Sequence, residues 1–486
     1  MRPTFMGLET TKRGIMVNQK ALDIVGNNIS NVKTKGYTRQ RLDMVSVYSG
    51  GRTHLPTTSI PLAGQGVEAV GVGQIRNAFL DSKFREEYGD VGYYDQRQAM
   101  LSEIEAAISD PEVEGTGIKD ALSTLLTALT KFSENPYQET QANIVRSAFT
   151  GVAQTLNQYA QKLNTIREQQ QTDLAISVAD VNAKLEQLAE LNKTIVDEVF
   201  TNADYDGTAY GPNELLDQRN LILDELSRYG EVQVIPRDDG GMQVKFNGKI
   251  VVDGTGSQYT ADSIQIGADK TSLTWRSSQE QLKLPTGVLK GYVDVLNGAS
   301  QLDKGIPYYQ EKLDDLAGNL AAAFNQVIPN DNGEAGYKVL LEGGEDGIIT
   351  AENLTVSEEW LADANYVIQQ NPDGEMDNTN VLNMKNILDQ KFTFNGEFTG
   401  NFSEFVTYIT TALGSDMTLN ESRLEASVST AESVDKDRMS VSGVSLNEEG
   451  IQMMTYNKAY QALARMMTTM DEQLDVLINK TGLVGR

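Results

Sequence analysis

The chain has no cysteine in 486 residues, a single histidine, and no stretch approaching the roughly 18 apolar residues of a membrane helix. Without cysteine there is no disulfide, no thiolate nucleophile and no cysteine-based metal site. The lone histidine, His54, stands close to Pro56 in a threonine-rich stretch and reads as a solvated loop side chain. A Ser-His-Asp triad would have to be built on it, and no Gly-x-Ser-x-Gly accompanies it. The GxxxxGK[ST] phosphate loop, the dinucleotide fingerprint and HExxH are missing as well. The acidic turn Asp373-Gly374-Glu375-Met376-Asp377-Asn378 lacks the sixth-position glycine and twelfth-position glutamate of a calcium loop, so it reads as a solvated turn. The expectation is a protein that is not an enzyme and needs no cofactor or metal.

Positive charge is scarce too: 41 lysines and arginines face 68 acids, for a net charge of −27. Such a surface repels nucleic acid and anionic lipid, so neither is expected as a partner. The first nine residues, Met1 to Glu9, lack the continuous apolar run of about 7–15 residues that marks a cleaved leader. Hydrophobic residues still make up 40% of the chain. With this length, that points to two to four folded domains rather than global disorder.

What is present is mostly helical periodicity. Leu8, Ile15, Leu22 and Ile29 recur every seven residues, flanked by Phe5, Met16 and Val25, and predict an amphipathic helix over the first thirty residues. Gly7 and Gly14 share that spacing, which weakens the helix but lets another backbone come close. Residues 37–75 read as extended, with a period-two strand from Gly66 to Val72. Between 139 and 199 apolar residues alternate in steps of four and three, from Val145, Phe149, Val152, Leu156, Tyr159, Leu163 and Ile166 to Leu174, Val178, Val181, Leu185 and Leu188. One 4-4 step marks a stutter, and about sixty helical residues make a rod of roughly 90 Å. Residues 231–282 read as β-structure opened by a hairpin around Asp238-Asp239-Gly240-Gly241. Helical pattern resumes over 286–328 (Leu313, Leu316, Leu320, Ala323, Phe324, Val327), and further helices are predicted at 402–414 and 416–440.

The last forty residues hold the cleanest heptad. Leu446, Met453, Tyr460, Met467 and Leu474 occupy one position; Tyr456, Leu463, Met470 and Leu477 the other, with Glu449 alone breaking the register. The fold class expected is therefore mainly α with β: terminal coiled-coil helices, a long helical-bundle middle domain with a β-region, and a small β-rich insert. In residue numbers, 1–75 plus 441–486 would form the terminal domain. Residues 76–328 plus 401–440 would form the helical-rod domain, with 231–282 as its β-region, and 329–400 an exposed insert. A two-helix tail far from a core gains less from one apolar seam than the ordering of its backbone costs, so its order is expected to come from neighbouring subunits.

The ends also carry a resemblance. Ala21 to Asn31 (ALDIVGNNISN) followed by Thr34-Lys35-Gly36-Tyr37 is similar to the bacterial flagellar axial-protein family of rod, hook and hook-associated subunits. Ser30 and Lys35 stand where that family usually has alanine and proline. Thr38-Arg39-Gln40-Arg41, Gly66-Val67 through Phe79-Leu80, Leu215-Leu216-Asp217-Gln218-Arg219-Asn220 and Val441 to Glu449 resemble the hook-associated branch, with Gly450 where alanine is usual. The match covers residues 1–230 and 400–486.

The resemblance implies a structural subunit connecting hook to filament, placed outside the cell after export without a cleaved leader. It further implies an assembly interface at Leu8, Ile15, Leu22, Asn28, Ile29, Asn31, Gly36 and Tyr37 with Met453, Tyr456, Tyr460, Leu463, Met467, Met470, Leu474 and Leu477. Implied partners are further copies of the chain, the hook protein, a second hook-associated junction protein, and a cytoplasmic export chaperone at the C-terminal helical region. A hook or distal-rod subunit ranks behind, because those usually lack the 139–199 rod and the Leu-Leu-Asp-Gln-Arg-like segment. A secreted adhesin displaying 329–400 ranks last.

Overall fold

A computed structural model describes residues 4–47, 64–108, 117–202, 212–256, 258–330, 336–344, 347–370 and 376–480. His54, Pro56, the first three residues and the first half of the acidic turn at 373–378 lie outside the described residues. The chain opens with α1 (Thr4–Ser30), the strands β1 (Gln40–Ser46) and β2 (Val67–Gln74), and the helices α2 (Ala78–Ile108), α3 (Ile118–Glu134), α4 (Glu139–Asn202) and α5 (Asn213–Ser227). Six strands follow: β3 (Val232–Pro236), β4 (Met242–Phe246), β5 (Lys249–Thr255), β6 (Gln258–Ala261), β7 (Ile264–Ile266) and β8 (Leu273–Trp275). Then come α6 (Val288–Asn297), α7 (Ile306–Phe324), β9 (Leu341–Glu342), β10 (Thr355–Val356), α8 (Glu358–Ala362), β11 (Gln369–Gln370) and β12 (Met376–Asp377). The chain closes with α9 (Thr379–Asp389), β13 (Phe392–Phe394), β14 (Phe398–Gly400), α10 (Phe402–Ser442) and α11 (Leu446–Asp475).

These elements fall into two compact units. Unit 1 comprises Met1–Tyr88, Val181–Ser263 and Val428–Arg486; unit 2 comprises Gly89–Asp180 and Ile264–Ser427.

In unit 1, β3-β4-β5-β6 form an antiparallel meander. Asn247 and Gly248, both with positive φ (50° and 83°), make the two-residue turn between β4 and β5, as the Asn-Gly pair predisposes. Val244, Phe246 and Val252 are fully buried, as are Leu223 and Leu226 of α5. β1 and β2 pair separately, with a register shift between Asp43 and Met44.

Unit 2 is a helical bundle. The α4 residues Val145, Phe149, Val152, Leu156, Leu163 and Leu174 are buried as their spacing predicts. At the stutter the inward position is Gln170, whose Nε2 donates to Glu103 Oε2 at 2.6 Å. Phe149 packs edge-on against Phe324 (4.8 Å) and Trp360 (5.2 Å), so the 329–400 stretch contributes α8 to this core. That stretch holds three two-stranded ribbons and the helix α9.

Two details differ from the sequence expectation. The 286–328 helix divides into α6 and α7, because Gly298 and Gly305 sit against backbone: a Cβ on Gly305 would lie 2.3 Å from Val295 O. The helices expected at 402–414 and 416–440 are one, α10. The helix cost of Gly414 is borne because Leu413 is buried and Asn420 Nδ2 donates to Tyr94 O at 2.9 Å.

Candidate assembly interface

Within unit 1, α1 and α11 run antiparallel, and their contacts repeat with the heptad. A Cβ on Gly7 would meet Met470 Cε at 2.8 Å, and one on Gly14 would meet Leu463 Cδ1 at 2.9 Å. One heptad on, Tyr456 packs on the cluster of Val17, Ala21 and Leu42. One more, Asn28 Nδ2 donates to Glu449 Oε2 at 3.2 Å. Every step of seven up α1 is thus a step of seven down α11. Small residues of α1 receive the large residues of α11, which explains why glycine stands inside a helix despite its cost of about 1 kcal/mol.

The seam expected from Leu8, Ile15, Leu22 and Ile29 is not the one facing α11. The inward face of α1 is Thr11, Gly14, Val17, Ala21, Val25 and Asn28, while Leu8, Ile15, Leu22 and Ile29 are half-buried beside it. Each lies one residue, about 100° of helix, past the Gly7–Gly14 line. On α11, Tyr456, Leu463, Met467, Met470 and Leu474 are half-buried, whereas Leu446, Met453, Tyr460 and Leu477 are exposed. Leu477 sits in the π-helical turn Val476–Lys480. Met453 and Tyr460 are rotated from the Tyr456–Leu463 line in the same sense as Leu8 and Ile15 from theirs. Between antiparallel helices this brings both rows to one side of the pair. The opposite side of α1 is covered: Gly66 abuts Thr10, and Ile24 packs with Val67, Ala69 and Val72 of β2. Among the described residues the β1–β2 sheet packs on one side of the pair, and the other carries an apolar row that is half-buried on α1 and exposed at Met453 and Tyr460.

The base of the pair is tied by a polar cluster. Asn28, buried, uses its whole amide: Nδ2 donates to Gln40 O (3.0 Å) and Glu449, while Oδ1 accepts from Gln40 N (3.0 Å) and Tyr37 Oη (2.8 Å). Glu449 is 0% exposed and also accepts from Arg39 Nε at 2.7 Å; Arg39 reaches Glu448 with its other arm. Ser445 caps α11, accepting from Glu448 N, so both glutamates also sit at the positive end of the helix. Asn31 Nδ2 donates to Asn27 Oδ1 (2.9 Å) and closes the helix end. Gly36 follows with φ +80°, and a Cβ on it would crowd Leu221 Cβ at 3.3 Å, so the Lys-Gly-Tyr turn needs its glycine twice over. Burial pushes the Tyr37 phenol up to about 12, aided by Asp217, Glu214 and Glu449.

The Leu215–Asn220 motif works from α5. Asp217 accepts from Thr38 N (3.1 Å) and Gln74 Nε2 (2.9 Å), fastening the start of β1 and the end of β2. Burial pushes its carboxyl up, against the pull of Thr38, Arg76 and Gln74. Arg219 donates to Asn192 Oδ1 and Gly240 O, both at 3.1 Å, holding α4 and the β3–β4 turn; burial pushes it down to about 10. Asn220 and Asp224 take Arg85, and Asp224 also takes Arg438, whose guanidinium lies 4.0 Å from the Phe84 ring centre.

Of the sequence-predicted residues, the structure brings together Asn28, Asn31 and Tyr37 at the base and Tyr456, Leu463 and Met470 at the α1 contact. It leaves Leu8, Ile15, Leu22, Ile29, Met453 and Tyr460 on the open side. Sequence reasoning missed Arg39, Gln40 and Asp217 as tethering residues. Glu449 carried the signal, a single carboxylate at an apolar heptad position. Among the described residues, no helix is long and apolar enough to cross a membrane, and no group of acids or histidine could hold a metal.

Three protein families match parts of the chain. The flagellar hook-associated protein FlgK helical domain matches residues 101–338, the flagella basal body rod protein residues 8–38, and the flagellar basal body rod FlgEFG protein C-terminal region residues 437–480. Flagellar hook-associated protein 1 of Bacillus subtilis is 30% identical over 529 aligned positions, covering 100% of both chains. The protein of that name from Escherichia coli is 28% identical, over 68% of this chain and 58% of its own. Among solved structures, that of the flagellar hook junction protein FlgK from Burkholderia pseudomallei aligns with a TM-score of 0.54 at 14% identity, covering 74% of this chain and all of that one, which speaks for the fold.

Proposed function

This chain belongs to the flagellar hook-associated protein 1 family, and on that premise we propose that it is a structural subunit of the flagellum that joins hook to filament through the open side of the α1–α11 pair. The observation that carries the reading is the two-sidedness of that pair. A heptad seam is used up inside the monomer by small residues, and a second row lies beside it, half-buried at Leu8, Ile15, Leu22, Ile29 and Met467 and exposed at Leu446, Met453 and Tyr460. Apolar rows on two packed helices fit a third helix by ridges-into-grooves packing. The terminal helix of a neighbouring copy, of the hook protein or of a second junction protein has that form.

Before assembly the exposed apolar side chains of α11 are a hazard in the cytoplasm. Met453, Met454 and Met466 are exposed along α11, and methionine adapts to more than one partner. An export chaperone covering α11 until the chain leaves for the flagellum is the corresponding proposal. The role is one of assembly rather than catalysis.

The test is genetic. Deleting the gene from its host should leave hooks without filaments, with filament protein shed into the medium. The parent chain should restore filaments, and a chain carrying Ile15→Glu and Tyr460→Glu should not. Normal filaments anchored by the double variant would remove the open side from the account.

A further inference from the structure

Five of the fifteen methionines lie in α11, at 453, 454, 466, 467 and 470. In unit 2, Met100 and Met384 are fully buried, whereas Met454 and Met466 are 58% and 50% exposed. Met470 is placed differently from all of these. Its thioether fills the space that Gly7 leaves, where a Cβ would stand 3.2 Å from Sδ. Thr11 Oγ1, which donates to Gly7 O at 2.9 Å, lies 3.7 Å from the same sulfur. The sulfur is therefore the wedge between the distal halves of α1 and α11. The proximal halves have the buried Asn28–Glu449–Arg39 cluster and the β1–β2 sheet as well; the distal halves have the helix pair and, against Thr10, the backbone at Gly66.

We propose that Met470 is an oxidative modification site, a latch whose conversion to the sulfoxide by peroxide opens the distal half of the α1–α11 pair. A sulfur lone pair attacks one peroxide oxygen, an S–O bond forms and the O–O bond breaks. The departing hydroxide takes up the remaining proton and leaves as water. The thioether loses two electrons and the peroxide gains them. An oxygen on the lone pair facing Thr11 would stand closer to Oγ1 than two oxygens can approach, and on the other it would carry a strong dipole into the helix contact. Opening at the tip exposes the sulfur to reagent, since a two-helix end held by few buried contacts frays readily. Sulfoxide reductases, one for each epimer, return the thioether, so the latch is reversible. The inference rests on the assembly reading only for its consequence, a chain whose interface is open when oxidised.

The test uses the full chain in solution, treated with graded hydrogen peroxide. Mass spectrometry reads the sulfoxide at each methionine, and amide exchange is followed over residues 5–14 and 463–474. Once Met470 is converted, exchange over both segments should become about tenfold faster, and sulfoxide reductase should reverse it. Met470→Leu, a volume-conserving change, should keep its exchange unchanged at the same dose, whereas the Met454→Leu/Met466→Leu double variant should still respond. Met470→Gln, a polar stand-in for the sulfoxide, should exchange fast without peroxide. Unchanged exchange at full conversion of Met470 overturns the latch, as does an equal response in Met470→Leu. So does a Met470 that stays unoxidised while Met454 and Met466 are fully converted. These readouts concern the isolated chain, so a failed latch leaves the assembly reading standing. Filaments anchored normally by the open-side variant would sink that reading without touching the latch.

Discussion

The helices α4 and α11 carry apolar repeats of similar quality, yet one is a core and the other a surface. In α4, Val145, Phe149, Leu156, Leu163, Leu174, Leu185 and Leu188 are wholly buried. In α11 the only buried residue is a glutamate, and the apolar heptad residues are half-buried or exposed. A repeat reports that a helix wants partners, and does not say how many of them lie in the same chain. The difference marks where the molecule is finished and where it waits for another.

The sharpest way to break this comparison is to truncate matched residues. Phe149→Ala should cost about 3–5 kcal/mol in a denaturant unfolding experiment, because it also strips Phe324 and Trp360 of their edge contacts. Met453→Ala on the open side should change monomer stability by no more than about 0.5 kcal/mol while impairing filament attachment. A Met453→Ala loss as large as that of Phe149→Ala would mean that α11 is a core helix after all.

Next in size is the tether. Arg39→Ala strands the buried carboxylate of Glu449 and should cost about 3 kcal/mol, confined to the base of the pair and visible as faster amide exchange near Asn28. Replacing Arg39 and Glu449 together by Met and Leu should recover most of that loss. If the single and double variants were equally unstable, the cost would lie in packing and not in the unpaired charge.

Gly14→Val sharpens the small-to-large register. The new methyls must push Leu463 aside, so the pair should lose about 1–3 kcal/mol of stability in denaturant unfolding. Gly26→Ala, where a Cβ meets nothing within 4 Å, should be neutral or stabilising. Equal effects at the two glycines would discard the pairing.

The smallest effect expected is electrostatic. The hydrogen bond from Lys184 holds Glu225 below its usual carboxylate value, with Lys35 adding to it. A depressed carboxyl contributes stability that is present above its unfolded pKa and is lost as pH falls through the folded one. Lys184→Met should therefore lower stability slightly at neutral pH, where the depressed carboxyl contributes, and leave the acid end unchanged apart from packing, so that the acid limb becomes shallower. A changed slope near pH 7 would point to another group.

Much of the architecture was legible from spacing alone, because the residues that make α1, α4, α7 and α11 helical are neighbours in sequence. The β3–β4 hairpin around Asp238–Gly241 was legible for the same reason. What sequence did not disclose was which side of each stripe faces inward: rows one residue apart, Gly7–Gly14 and Leu8–Ile15, have the same period. Geometry that depends on distant segments was likewise hidden. Arg85, Asp224 and Arg438 meet across more than a hundred residues each way, and nothing local marks them as partners. Glu449 was the instructive exception, an apparent flaw in the heptad that is the most buried residue of its helix. The merging of two expected helices into α10 was hidden because Asn420 is anchored from α2, far away in sequence.

The central claim is that the open side of the α1–α11 pair is covered when the subunit takes its place in the flagellum. Absence of native cysteine allows a direct measurement: Tyr460→Cys on the open side and Lys458→Cys away from it, each labelled with a maleimide in the free chain and in isolated hook–filament junctions. The account predicts that both react in the free chain, and that only Cys at 460 becomes protected on assembly. Equal reactivity of Cys at 460 in free and assembled chains would contradict it.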